Sequence, residues 1–509
     1  MFQTFQKLYQ ANISTPVGIY RLLRSIIGTG TNLMALLEFA ARSYPSETAI
    51  IDDYQSISYQ DLYKETQQLA VNLKEKHAIH PHKKVALLCR NHSPLVKSLF
   101  ALSCLGADAY LLNIEMTSAQ FNDLLDEHNF DCVIYDLEVW EMVHRSNFDK
   151  KTLLSQHITF DSIQGLSTET PTKKINLKKS SAGKLIILTG GTTGAFKTAV
   201  RKPAVSNFLN PFFALLNQLN LGTYQSAYIA TPIYHGFGMA ALLVSLTLGV
   251  KIVLTKRFKA QKTTSLLLKH RVQVLILVPL ILDRLLQQSK LELIYTRLII
   301  SGGAPLNPNL VQRTFKLLKH DLANLYGTSE AGFCIMATTE DLKLHANTIG
   351  KKIRGVQLKL LDNNQQEVAI GTVGALSVRS SWGMKNTTDS WIPTGDLAYQ
   401  NEQGYYFLCG RVDDRIVSGG ENVYPVELEH ILLQHDAIQQ TAVIGISDPE
   451  FGQRLKAFVV LKPQQVLDQS NLQEWLKDHA ARHQMPKEIV FIDHIPVTAL
   501  GKTNKKKLF

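Results

Sequence analysis

The stretch LIILTGGTTGAFKTAV, Leu185 to Val200, sets glycines and hydroxyl side chains directly after an aliphatic run, with one cation, Lys197, near its end. Gly190, Gly191 and Gly194 let backbone approach an anion closely, Thr189, Thr192 and Thr193 add hydroxyl donors, and Lys197 adds charge. A phosphate suits that set. No glycine directly precedes Lys197, so the stretch departs from a Walker A loop. An ordinary glycine-rich turn fits the same residues, and the stretch alone leaves both readings open.

Four further stretches carry groups that could do chemistry. SGGAPL (Ser301 to Leu306) follows an aliphatic run, at the strand end where open α/β sheets bind ligands. LYGTSEAG (Leu325 to Gly332) gathers an aromatic ring, two hydroxyls and the Glu330 carboxylate, and PTGDLA (Pro393 to Ala398) places Asp396 in an expected turn. PVTALGKTNKKK puts Lys502 after a flexible Gly501. Taken singly, Glu330 also reads as surface charge, Asp396 as a turn former and Lys502 as part of a solvated tail.

Elements that would position these groups follow from periodicity. Around Lys84 an apolar run, VALLC, precedes an amphipathic PLVKSLFALSCLG and a second apolar run, DAYLLN, which together read as a βαβ unit. Thr117 and Gln120 form a capping-box pattern ahead of FDCVIYD. The alternation recurs in VQVLILV with LILDRLLQQ, and in TRLIIS with a helix starting at Asn307 or Pro308 and holding His320 in its last turn. Unbroken aliphatic strands between helices predict mostly parallel sheets covered on both faces. Beyond Gly355, VQLKLLD, GALSVRS and GYYFLCG read as antiparallel strands, and the residues after GRVDDRIVSGG as a compact α+β tail. The predicted fold is therefore α/β, with a β-rich subdomain and a small mobile α+β C-terminal domain. Domains are expected at 1–412 and 413–509.

At 509 residues the chain exceeds one core, and with 19% charged and 45% hydrophobic residues it is neither disordered nor fibrous. The net charge of +11 suits acidic partners, but basic and aromatic residues are not interleaved, so a nucleic-acid partner is not expected. Five cysteines without a CxxC pair support neither a zinc site nor a disulfide framework, and fit a reducing cytoplasm. The longest apolar segment, MAALLVSLTLGVKIVL, is broken by Lys251 and too short to span a bilayer, and no signal-peptide core is expected. In VGIYRLLRSIIG, Arg21 and Arg24 flank an apolar face, which suits either peripheral membrane contact or a helix docked on the protein body.

In this order and at these intervals the motifs resemble the acyl-adenylate-forming superfamily, particularly acyl-CoA synthetases of the fatty acid–CoA ligase type. The resemblance runs from about Leu36 to the C-terminus, includes ISYQDL (Ile57 to Leu62), and is most specific in GRVDDRIVSGGENVYPVELE. It implies ATP, Mg²⁺ and coenzyme A as cofactors. It implies phosphate contacts from Thr189, Gly191, Thr192, Thr193, Gly194 and Lys197, and an adenine-binding turn at Gly303, Ala304 and Pro305. Tyr326 would pack on adenine, Gly327 would belong to the same nucleotide-binding set, Ser329 would meet the α-phosphate, and Glu330 would ligate Mg²⁺. Asp396 and Arg411 would hold the ribose, Asp413 would be the hinge, and Gly419, Gly420 and Glu421 would line the coenzyme A tunnel. Lys502 would bridge the substrate carboxylate and the α-phosphate, with His235 near that carboxylate. The chain departs from the pattern at Gly190, Phe196, Thr198, Pro393 and Val497.

The implied reaction joins a carboxylic acid to ATP, giving acyl-AMP and pyrophosphate, and then passes the acyl group to coenzyme A. Attack of a carboxylate on an anionic triphosphate needs charge compensation more than a strong base, which accounts for a lysine where a hydrolase would carry a triad. The apolar PFFALLNQLNLG directs the expectation to a medium- or long-chain fatty acid, with an aromatic acid as the other option. Two alternatives stand beside this reading: acyl loading of a carrier protein, and a non-catalytic nucleotide or acyl-AMP sensor.

Overall fold

The computed structural model describes residues 8–9, 13–171, 177, 179–190, 196–201, 205–288, 293–383, 390–418, 421–498 and 503–508; for 189–190, 196–201, 205–208, 417, 421–422 and 506 only the backbone is considered. The chain divides into two compact units, residues 1–301 with 319–321, and residues 302–318 with 322–509.

In the first unit the aliphatic runs form two sheets. One is ordered Lys151–Leu154, Cys132–Tyr135, Lys84–Leu88, Asp108–Leu111, Leu185–Gly190 and Phe196–Arg201, parallel except for the last strand. The other runs Ser56–Ser58, Thr48–Ile51, Lys251–Val253, Ser226–Ile229, Val274–Leu277 and Leu298–Gly302, parallel except for its first pair. Central strands such as Cys132–Tyr135 and Val274–Leu277 are buried along their whole length, as strands covered on both faces must be. The helix Ser93–Leu105 is likewise buried at every position. Thr117 and Gln120 close the capping box that starts the helix Ser118–His128. MAALLVSLTLGVKIVL divides into the end of the helix Gly236–Thr247 and the strand Lys251–Val253, and no helix among the described residues is long and apolar enough to cross a membrane.

The second unit is built from antiparallel pairs. Asp321–Thr328 pairs with Gly332–Ala337 and the latter with Lys351–Lys352. Val356–Leu361, Gly374–Ser380, Ile392–Gln400 and Tyr406–Arg411 form a four-stranded meander. The tail makes a third sheet, Glu421–Val423, Ile416–Ser418, Gly452–Leu461 and Ile438–Asp448, with Glu488–Phe491 parallel to Gly452–Leu461. Its helices Pro425–Leu432 and Gln469–His479 contribute Leu428, Leu432, Leu472 and Leu476 to a core shared with Val443, Leu455 and Val459.

Two local expectations are corrected. His320 lies beyond its helix, which ends at Leu317: Leu318 is already extended, and the chain turns into the strand Asp321–Thr328. Asp396 lies inside the strand Ile392–Gln400 and not in a turn; Gly395, at φ 76°, kinks the strand there while keeping it in the sheet.

Candidate active site

A polar cluster of the second unit centres on Asp396. Strand pairing sets Asp396 directly opposite Arg411, and Arg411 Nη1 donates to Asp396 Oδ1 at 2.9 Å and to Thr394 O at 3.1 Å. Tyr326, from the strand Asp321–Thr328, donates its hydroxyl to Asp396 Oδ2 at 2.6 Å. Thr394 Oγ1 receives the Asp396 N–H at 3.1 Å and donates to Leu376 O, which ties the backbone at Asp396 to the neighbouring strand. Burial and then the Asp396 charge push the Tyr326 phenol well above its usual range, so it remains a donor. Burial works against the Arg411 cation, but Asp396 outweighs it and raises the pKa further. A Cβ at Gly395 would stand 2.6 Å from Arg411 Nη2, so glycine lets the guanidinium lie flat over the strand.

Tyr326 continues into a tight hairpin at Thr328 to Gly332. Thr328 Oγ1 accepts the Ala331 N–H at 3.0 Å, and a Cβ at Gly327 would meet Gly332 O at 2.2 Å. The turn carries Ser329 and Glu330, both partly exposed. Among the described residues no lysine or arginine engages the Glu330 carboxylate. Gly303 (φ 79°), Ala304 and Pro305 form the bend after the strand Leu298–Gly302, with Gly303 and Pro305 exposed.

In the tail, exposed Asp413 sits on the single turn Val412–Asp414, and Asp414 Oδ2 binds Lys505 Nζ at 3.0 Å. Val497 pairs with Thr503, and Asn504 N–H donates to Pro496 O at 2.7 Å. Lys502 itself lies outside the described residues, as do Gly419 and Gly420; Glu421 pairs with Ser418.

In the first unit, Leu185–Gly190 and Phe196–Arg201 form a hairpin in which Thr189 faces Lys197 and Gly190 faces Phe196. Gly191, Thr192, Thr193 and Gly194 lie outside the described residues. His235 is the N-cap position of the helix Gly236–Thr247, where its carbonyl accepts Met239 N–H at 2.9 Å and its ring lies 4.6 Å from that of Tyr234. The loop before it is tight: a Cβ at Gly238 would fall 2.2 Å from Pro232 O.

That loop is held by a residue the sequence reasoning passed over. Asn91, 5% exposed, donates to Thr231 O at 2.9 Å and to Ile229 O at 3.4 Å, and its Oδ1 accepts Ile233 N–H at 2.8 Å. Its neighbours are fixed as firmly. His92 Nδ1 accepts Leu95 N–H at 3.1 Å as an N-cap, and Nε2 donates to Asp136 Oδ1 at 2.7 Å. Asp136 also takes Ser155 Oγ, Arg90 N–H at 3.1 Å and Lys256 Nζ at 3.2 Å. Burial opposes its charge, yet His92 and Lys256 hold the carboxyl well below the usual carboxylate range. Cys89, pushed well up by burial, completes a buried Cys89, His92 and Asp136 group. Both imidazole nitrogens are already engaged, so this group is a satisfied hydrogen-bond network and not a metal site. The available signal was a run of polar residues, Arg90 to Ser93, directly after an aliphatic strand.

A family model described as AMP-binding enzyme matches residues 37–386, and one described as AMP-binding enzyme C-terminal domain matches residues 427–502. The chain is 27% identical over 480 residues to a 2-succinylbenzoate–CoA ligase of Listeria innocua serovar 6a, covering 93% of this chain and 98% of that protein. It is 24% identical over 503 residues to the fatty acid–[acyl-carrier-protein] ligase ScoC of Streptomyces coeruleorubidus, covering 94% and 95%. Among solved structures, o-succinylbenzoate CoA synthetase from Bacillus subtilis, in complex with its acyl-adenylate intermediate, matches with a TM-score of 0.77 at 23% identity over 93% of this chain and 97% of that one, a likeness of fold.

Proposed function

The chain belongs to the AMP-binding enzyme family, and from that premise we propose that it is an AMP-forming acid–thiol ligase. A carboxylic acid and ATP give acyl-AMP and pyrophosphate; the coenzyme A thiol then displaces AMP to give the acyl thioester. One observation carries the nucleotide half of this reading: Asp396, ion-paired to Arg411 and hydrogen-bonded by Tyr326, is an oriented carboxylate of the kind that accepts from two ribose hydroxyls. The tyrosine ring beside it offers a flat apolar face for the base.

The remaining assignments follow on the same premise. Gly303, Ala304 and Pro305 would flank adenine, and Thr189, Gly191, Thr192, Thr193, Gly194 and Lys197 would hold the β- and γ-phosphates. Ser329 would donate to the α-phosphate. Glu330, partly exposed and free of cationic partners among the described residues, fits a hard dication. When bound there, Mg²⁺ would offset charge on the phosphates. Lys502 would neutralise charge developing between the acid and the α-phosphate, and His235 would orient the acid. We assign residues 413–509 as a mobile domain pivoting at Asp413, so that Lys502 serves adenylation and Gly419 to Glu421 serve the thiol.

For the acid itself, the similarity to a 2-succinylbenzoate–CoA ligase supports an aromatic dicarboxylate. The apolar helix Val205–Leu219 and the similarity to ScoC support a fatty acid. A panel of both acid classes, assayed for AMP, pyrophosphate and thioester with coenzyme A present and absent, tests the proposal. AMP release on one class, with thioester only when coenzyme A is added, is expected. No AMP with any acid would overturn the ligase reading, and adenylate without thioester would move the acceptor to a carrier protein.

A further inference from the structure

The helix Pro16–Thr29 is oriented against the usual rule. Gly18 and Ser25 are its buried residues and Leu22 and Ile26 are partly buried, while Val17, Ile19, Tyr20, Leu23 and Ile27 are 46–64% exposed. Ile19, Tyr20, Leu23 and Ile27 recur at helical spacing and make one apolar strip facing solvent. The geometry is not that of a fraying end: Thr15 caps the helix through Gly18 N–H at 3.0 Å, and Gly30 N–H closes on Ile26 O at 2.9 Å. The helix lies ahead of the matched family region, which starts at residue 37.

Charge accompanies the strip. The first 37 residues hold Lys7, Arg21 and Arg24 and no acidic residue, and exposed Arg24 borders the strip beside Tyr20, to which it donates at 3.3 Å. A second basic segment is tied to the end of the helix. Asn32 Nδ2 bonds Thr29 O at 2.8 Å and Ser180 O at 3.1 Å, Ser180 N–H bonds Thr29 O at 3.3 Å, and Ala182 N–H bonds Thr31 O at 3.2 Å. A Cβ at Gly30 would stand 2.2 Å from Ser180 O, so glycine permits the contact. Lys178 and exposed Lys179 directly precede Ser180 in a stretch, Pro171 to Lys184, with five lysines and no acid.

We propose that the outward strip of Pro16–Thr29, with Arg24 and the adjoining Lys179, docks the protein on an anionic lipid surface. An exposed apolar strip edged by cations matches the acyl–headgroup boundary, where apolar side chains enter and basic ones meet lipid phosphates. The other occupant, a second copy, is disfavoured by area and sign. A helix of this length offers a strip of about 200 Å², against about 800 Å² per partner in a stable interface, and two copies would bring like charges together.

The full chain is tested by flotation with phosphatidylcholine vesicles and with vesicles containing about 30 mol% phosphatidylglycerol. Binding to the anionic vesicles only, weakened by salt, is expected. Leu23→Glu/Ile27→Glu, and separately Arg24→Glu/Lys179→Glu, should each reduce it about tenfold or more while leaving the circular dichroism spectrum unchanged. These exposed substitutions spare the core, so each variant should stay folded. Absence of flotation with anionic vesicles, or parental flotation by both variants, overturns the proposal. A dimer in light scattering that Leu23→Glu/Ile27→Glu dissolves, without vesicle binding, also overturns it and assigns the strip to a second copy.

Discussion

Exchanging Asn91 for aspartate alters one group at the centre of the loop that carries His235. In the parent, the Asn91 amide donates to Thr231 O and Ile229 O while its oxygen accepts Ile233 N–H. A carboxylate there keeps the acceptor but turns a second oxygen onto two carbonyls, and only its protonated form restores the donor. Burial and the facing carbonyls therefore raise its folded-state pKa above the unfolded value of about 3.9. Between those two values the folded state binds more protons than the unfolded state. The variant is thus closest to parental stability below about pH 4 and loses stability as pH rises through the window. A shift of about three units corresponds to about 4 kcal/mol once the group is ionised. Asn91→Ala behaves differently: it leaves the Thr231 carbonyl and Ile233 N–H unpaired, at about 1–3 kcal/mol each, irrespective of pH. Urea unfolding followed by circular dichroism at about pH 5 and about pH 8 separates the two patterns. Hydrogen exchange across residues 229–238 reports the loop directly, since Ile233 N–H loses its acceptor in Asn91→Ala. Parental exchange in that segment for both variants, with Asn91→Asp as stable as the parent at both pH values, would refute the clamp. Under the ligase reading the same variants should raise the KM for the acid more than that for ATP.

Tyr326→Phe removes the 2.6 Å donor to Asp396; a hydrogen bond to a charged group is worth about 1.5–3 kcal/mol, so AMP affinity by calorimetry should fall about tenfold or more, and an unchanged Kd would detach Tyr326 from the nucleotide. Lys502→Ala should cut adenylation about a hundredfold while sparing thioester formation from supplied acyl-AMP; equal losses in both half-reactions would remove its assignment. Asp413→Pro, which locks φ near −65°, should impair thioester formation more than adenylation, and a parental rate of thioester formation would remove the pivot. Glu330→Gln should raise the magnesium concentration needed for half-maximal turnover, because an amide binds a hard dication less well than a carboxylate; an unchanged magnesium profile and turnover would count against Glu330.

Legibility in the sequence followed the range of the interactions. Strands such as Cys132–Tyr135 and the capping box at Thr117 rest on neighbours a few residues apart, so periodicity and residue type suffice to place them. The Asn91 clamp reaches across 138 to 142 residues to Ile229 and Ile233, and the Asp136 network across 44 to His92, so no local pattern announces either. Helix Pro16–Thr29 shows a subtler limit. Its composition reads as amphipathic, but the face that turns inward, with Gly18 and Ser25 buried and Leu22 and Ile26 partly so, is set by contacts with the protein body that no local pattern announces.

Asp396 shows why a correct residue can carry a wrong local structure. TGD is turn chemistry by composition, and Gly395 does take a positive φ. The chain nonetheless continues as strand, because Asp396 pairs across the ladder with Arg411 and Ala398 with Leu408. Side chains alternate along a strand, so a one-residue slip would carry Asp396 to the opposite face, away from both Arg411 and Tyr326. The kink at Gly395 and the register shift between Leu397 and Ala398 accompany a pairing that brings two residues, 70 and 15 positions away in sequence, onto one carboxylate. Pro393, which departs from the family pattern, is exposed and contributes no side chain to that cluster, so the departure leaves the carboxylate's partners in place.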